Sequence, residues 1–254
     1  GLCILCNVTC EQEKSCNQLK LRKERENLAI KVEVWGDYAC FSRPEMKTER
    51  VSYDMMTPSA ARGLLEAVYW HPGLKWIIDK IYLMKPILLT RQQPEECGIR
   101  MTSIKRNEIK SKVSANNVRS VMTGGNGELY LDTSYERNQR TSLILQDVHY
   151  VIEAHFEIGA DAHEEDNAGK FQDIMRRRLK RGQCYHQPYF GTREFPAHFR
   201  EWEGGSIETI PLTKDLGYML YDLDYSEKEN IRPMFFRAQL TDGVLDLRNC
   251  EVIM

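Results

Sequence analysis

The chain has 254 residues, and its 35 lysines and arginines against 37 aspartates and glutamates leave a formal net charge of -2. There is room for one large domain or two small ones with a real core, and no apolar run approaches the roughly 20 residues of a membrane span. A uniformly basic nucleic-acid binder is excluded, but the cations are clustered, and their distribution matters more than their sum.

Eight cysteines in a chain this long, and this well supplied with core formers, point to a reducing compartment rather than a disulfide scaffold. Four of them, Cys3, Cys6, Cys10 and Cys16, fall near the start. Their spacing fits neither a zinc site nor an iron-sulfur site, and no second ligand pair follows at finger spacing. Residues 1–27 are therefore expected to be an N-terminal extension, with no metal and no cofactor. Its apolar stretch is too short for a secretory signal and lacks a basic region ahead of it.

Leu28 to Trp35 alternates and is rich in valine, which predicts a first strand ending at Gly36-Asp37. Thr57 before Pro58 predicts a helix start, because a side-chain oxygen can cap free amides and proline at the first helical position gives up a donor that had no partner. Ala61, Leu64, Leu65 and Val68 form its apolar stripe, Tyr69-Trp70 fall at its C-terminal edge, and Pro72 ends it. Leu74 to Leu83 reads as the next strand.

Ile99 to Val118 carries Arg100, Lys105, Arg106, Lys110 and Lys112 against Glu108 alone, with Arg119 just beyond. Weak alternation there predicts an exposed basic hairpin or β-ribbon that could lay cations along a phosphate backbone. Gly124-Gly-Asn-Gly127 lacks the lysine and hydroxyl residue of a phosphate loop and reads as a plain loop. Arg140 to Ile158 predicts a long strand. Asn167 to Gly182 predicts a second helix, with Phe171, Ile174, Met175 and Leu179 inward and Arg176, Arg177 and Arg178 making a polyanion footprint.

With Pro188 to Trp202 as a last strand, the order strand, helix, strand, strand, helix, strand predicts an α+β chain with a ferredoxin-like (RRM-like) domain. It spans residues 28–205 with a basic insertion at about 99–120. Residues 206–254, from the Leu212 to Met254 pattern, form a small β-rich C-terminal domain.

The segments Val32-Glu-Val-Trp-Gly-Asp-Tyr-Ala-Cys-Phe-Ser-Arg-Pro44, Thr57-Pro-Ser-Ala-Ala-Arg-Gly63, Val68-Tyr-Trp-His-Pro72, Gln146-Asp-Val-His-Tyr150 and Phe190-Gly-Thr-Arg-Glu-Phe-Pro-Ala197 resemble the subtype I-C CRISPR-associated Cas-five family. The likeness runs from Leu28 to the C-terminus. It implies a ferredoxin-like domain with a basic β-hairpin insertion and a small antiparallel β C-terminal domain. It also implies a cytoplasmic endoribonuclease that cuts CRISPR precursor RNA within each repeat stem-loop, stays on the 5' handle of the crRNA, and works beside the other type I-C Cascade subunits in antiviral defence. The alternative is a non-catalytic subunit that caps the same handle. DNA is a further partner under a third reading, in which Asp147 and Glu153 hold a divalent ion.

RNA can be cut without metal when its own 2'-hydroxyl attacks the adjacent phosphate, leaving a 2',3'-cyclic phosphate and a 5'-hydroxyl. The protein must orient the strand, stabilise charge on phosphorus and handle two protons. The resemblance implies a tyrosine in the Tyr-Trp-x-Pro motif, matched by Tyr69, and a lysine-histidine pair where this chain has Gln146 and Asp147. His149 lies two residues past Asp147, hence on the same strand face, and is the candidate for proton transfer. Lys105, Arg106, Lys110 and Lys112 are the cations expected to fold over the Tyr69 edge, with Arg176, Arg177 and Arg178 as a second RNA-binding patch. Tyr38, Phe41 and Tyr53 are candidate stacking residues.

Overall fold

The computed structural model describes residues 29–46, 48–84, 101–109, 113–130, 137–159, 161–163, 165–225 and 230–254. The cysteine-rich start, Lys110 and Lys112 lie outside the described residues, as do the side chains of residues 106–109 and 137. The elements run β1 (Ile30–Ala39), α1 (Pro58–Val68), β2 (Leu74–Leu83), β3 (Met101–Ile109), α2 (Ala115–Met122), β4 (Arg137–Ile158), α3 (Ala168–Arg181), β5 (His198–Glu201), β6 (Lys214–Asp224), β7 (Arg232–Thr241), β8 (Val244–Asp246) and β9 (Val252–Ile253).

The fold is α+β. The described strands join in one sheet of order β5-β1-β4-β2-β8-β7-β6, with β3 on β4 and β9 on β7, and every strand pair is antiparallel. The last four strands continue this sheet, because β8 hydrogen-bonds to β2.

Alternation decides which face each strand buries. Ile30, Val32 and Val34 of β1 stand opposite Ala154, Ile152 and Tyr150 of β4, and all are buried. Helices α1 and α3 cover this face. In α1, Thr57 Oγ1 accepts from the Ala60 amide at 3.3 Å, Pro58 opens the helix, and Ala61, Leu64, Leu65 and Val68 turn inward as their spacing predicts. In α3, the Asn167 side chain accepts from the Lys170 amide at 2.9 Å, and Gly182 stops the helix at φ 61°. Phe171, Met175 and Leu179 are buried, and Phe171 packs edge-on against Phe156 of β4. Truncating such a residue, for instance Leu64→Ala, costs about 2–5 kcal/mol.

Of the two expected shapes for the basic stretch, a hairpin or a β-ribbon, the described residues form a ribbon with β4. β3 does not turn back on itself but pairs with the first half of β4, from Met101 opposite Leu145 to Ile109 opposite Arg137. Residues 115–122 are helical, because the Ser114 side chain caps the Asn116 amide and Gly124-Gly125 follow at the end. Tertiary pairing to a 22-residue partner strand overrode the weak local alternation. The last strand is also shorter than predicted: residues 190–197 form a turn whose Gly191, at φ +78°, lies so close to the Cys40 carbonyl that a Cβ would sit 2.0 Å from its oxygen. Only glycine fits there.

Candidate functional site

Helix α1 ends at Val68 because Pro72 lies four residues on, and Tyr69 takes the extended cap conformation. Its backbone carbonyl accepts from the Trp76 indole at 3.2 Å, and its ring leans on Phe171 of α3 with centroids 6.1 Å apart. The phenol is consequently 5% exposed, whereas the neighbouring Trp70 is 54% exposed. Arg178 lies over the Tyr69 ring at 4.8 Å and donates to the Val68 carbonyl at 2.6 Å.

The β4–α3 connection brings further polar groups to this edge. Lys170 donates to Asp166 at 2.8 Å, which holds the Asp166 carboxyl below its ordinary value. His71 lies 3.6 Å from the same carboxylate, and its ring meets His163 edge-on at 5.8 Å. The Gly73 amide donates to His71 Nδ1 at 3.3 Å, so the ring proton is on Nε2, facing Asp166. Burial raises the Tyr69 pKa, and the nearby Arg178 and Lys170 charges only partly offset that. At neutral pH the group is a phenol, able to donate a proton or a hydrogen bond and unable to accept a proton as a base.

Tyr69 and His149 do not share a cleft. Tyr150, Ile152, Ala154 and Phe156 face the helices and Tyr69, so His149, on the other parity of β4, faces the opposite side of the sheet. There its Nε2 lies 2.7 Å from Glu33. Asp147 takes a left-handed backbone at φ 53°, which interrupts the alternation, so the two-residue spacing that linked His149 to Asp147 does not carry across it; the regular alternation from Val148 to Phe156 separates His149 from the helix end.

The described part of the basic arm does not fold over Tyr69 either. Lys105 is exposed opposite Thr141, while Tyr69 packs near Phe156, roughly 50 Å farther along β4 at about 3.3 Å per residue. Arg106 lies on the same strand. Of the α3 arginines, Arg177 is exposed and Arg176 lies 3.5 Å from Glu201. Arg178 is committed to closing α1, so the polyanion footprint predicted on α3 loses one of its three members.

Asp147 and Glu153 lie roughly 20 Å apart along one strand, too far to share one ion, and Glu153 accepts from Tyr82 at 2.8 Å. Of the candidate stacking residues, Phe41 and Tyr53 belong to the core and Tyr38 is 39% exposed. Sequence reasoning missed Lys170, which acts on Tyr69, and the His71–His163 pair beside Phe171. The signal for His71 was its place in Tyr-Trp-His-Pro; nothing local marked the other two.

No described helix is long and apolar enough to cross a membrane. The family described as CRISPR-associated protein (Cas5), in its Cas5d form, matches residues 29–248. A protein named CRISPR pre-crRNA endoribonuclease Cas5d from Mannheimia succiniciproducens is 43% identical over 227 residues, covering 86% of this chain and 94% of that one. One of the same name from Thermus thermophilus is 37% identical over 238 residues, covering 86% and 90%. Two solved structures share the fold. One, described as a CRISPR-associated protein, has TM-score 0.61 at 19% identity, covering 89% of this chain and 96% of that one. The other, a functionally uncharacterised protein from Streptococcus mutans, has TM-score 0.59 at 18% identity, covering 89% and 97%. With most of its length matched and two relatives well above 30% identity, the chain belongs to the type I-C (Cas5d) branch of the Cas5 family of CRISPR-associated proteins.

Proposed function

We propose that this chain is a cytoplasmic pre-crRNA endoribonuclease. It cuts within the repeat stem-loop without metal, by 2'-hydroxyl attack, and remains on the crRNA 5' handle as a subunit of a type I-C Cascade. The names of its relatives support the activity, and the observation that carries the site is Tyr69 held beneath Arg178 with Lys170, His71 and His163 beside it. The domain is read as ferredoxin-like, since β5-β1-β4-β2 with α1 and α3 on one face has that fold's order; residues 206–254 are its β-rich addition and residues 1–27 an N-terminal extension.

In this reading the Tyr69 phenol, neutral at physiological pH, donates to the reacting phosphate or to the departing 5'-oxygen. Lys170 and Arg178 set a positive field at the same edge. His71 offers no lone pair outward, because Gly73 occupies Nδ1 and Asp166 faces Nε2. The exposed His163 imidazole is the candidate acceptor of the 2'-hydroxyl proton. Trp70 offers a surface on which an unpaired base can stack. Lys105 and Arg106 on β3, and Arg176 and Arg177 on α3, contact the RNA backbone away from the scissile bond, and Lys110 and Lys112, outside the described residues, are read as RNA-binding with them.

Purified protein mixed with its own repeat RNA in EDTA tests this reading. Product ending in a 2',3'-cyclic phosphate supports it. Tight binding without product transfers support to a non-catalytic handle cap, the reading that Gln146 and Asp147 favour.

A further inference from the structure

On the sheet face away from the helices, three rings stand in a row across three strands. The register sets His198 of β5 and His149 of β4 directly opposite Trp35 of β1 on either side. The Trp35 and His198 rings stack at 22° with centroids 5.7 Å apart, and His149 meets the indole edge-on at 6.3 Å. Arg200 lies over the indole at 5.3 Å, and its Nε donates to Glu33, which also holds His149. Glu33 is almost fully buried, paired with the Arg200 guanidinium and hydrogen-bonded to His149, so its carboxylate is turned away from an incoming anion. The Arg200 side chain is 64% exposed and His198 is exposed. The terminal nitrogens of Arg200 make no hydrogen bond among the described residues.

A partly buried indole with an exposed imidazole stacked on it, beside a planar cation with donors to spare, is what an unpaired nucleotide needs, a stacking surface for its base and a fork for its phosphate. We propose that Trp35, His198 and Arg200 form a binding site for one nucleotide of single-stranded RNA. The site is separate from the Tyr69 edge and lies on the other face of the sheet. The inference rests on reading the chain as an RNA-processing protein. Glu203 acts on Arg200 through space, so the site takes one phosphate and is not a track for a polyanion.

The probe is an eight-nucleotide adenine RNA carrying one 2-aminopurine and no hairpin, titrated with the full chain. The expected result is quenching of the 2-aminopurine, with a salt slope close to that of a single phosphate contact, about -0.7. His198→Ala and Trp35→Leu each weaken binding about tenfold and relieve the quenching. Should Trp35→Leu fail to fold, His198→Ala decides alone, since His198 is an exposed residue on the edge strand. Unchanged affinity and quenching in His198→Ala overturn the proposal. Because this RNA is not a cleavage substrate, that result leaves the endoribonuclease reading standing, and absence of repeat cleavage would leave the nucleotide site standing.

Discussion

Arg178 holds its guanidinium carbon 4.8 Å from the centre of the Tyr69 ring while one terminal nitrogen donates to the Val68 carbonyl. One side chain therefore closes the last turn of α1, ties that turn to α3 and fixes the plane of the phenol. Its part in RNA contact is indirect. Arg178→Met keeps the aliphatic stem and removes the donor and the charge, so about 1–3 kcal/mol of stability is lost. The expected drop in Tm is roughly 3–10 °C for a chain of this size. The salt slope of RNA binding stays as it is, and a slope that flattened instead would put Arg178 on the RNA.

Tyr69→Phe removes only the hydroxyl from a ring already packed on Phe171 and Arg178. Folding and RNA affinity are expected to hold, and the single-turnover cleavage rate in EDTA is expected to fall about 10²- to 10⁴-fold. His163→Ala should lower the rate about 10²- to 10⁴-fold, whereas His149→Ala should leave cleavage untouched. A large effect of His149→Ala on the chemical step would show that the two sheet faces are coupled in the reaction.

Unlike α2, helices α1 and α3 were legible because each carries its own punctuation. Thr57-Pro58 and Asn167 cap them, Gly182 stops the second, and the apolar spacing marks one inward stripe. The long strand β4 was legible for the same local reason. What escaped was everything set by pairing between distant segments. Nothing around residue 105 says that its partner is residue 141 and not its own hairpin, and this register alone puts the cations at the far end of β4 from Tyr69. His163 reaches His71, and Lys170 comes close enough to act on the phenol, through the path of the β4–α3 connection, which no periodicity encodes. Parity along β4 was readable, but which parity faces the helices required Tyr150 and Phe156 to be seen packing against them.

Arg176→Ala with Arg177→Ala tests the remaining footprint on α3. Each contact with single-stranded RNA contributes about 0.7 to the slope of log K against log salt, so removing both should flatten it by about 1.4. Arg176 is partly engaged by Glu201 at 3.5 Å, and the pair matters little to stability because both side chains are exposed. A slope unchanged by the double substitution would move the backbone contacts to the β3 arm.

The last expectation concerns acid. Burial would raise the Glu33 carboxyl above its ordinary value of 4.5, but hydrogen bonds from Arg200 and His149 outweigh burial and hold it lower. A carboxyl whose folded pKa is depressed stabilises the fold above its unfolded pKa, and that stability disappears as pH falls through the folded value. As the pH falls below the ordinary value of 4.5 and through the lower folded value, the wild-type chain therefore loses stability through this group. Glu33→Gln keeps the shape and some of the hydrogen bonding, so it is less stable at pH 7 and its loss between pH 5 and pH 3 is shallower. Thermal melts of the two proteins across that range should converge as the pH falls. Parallel curves would mean that the carboxylate is not what binds Arg200 and His149 to the sheet.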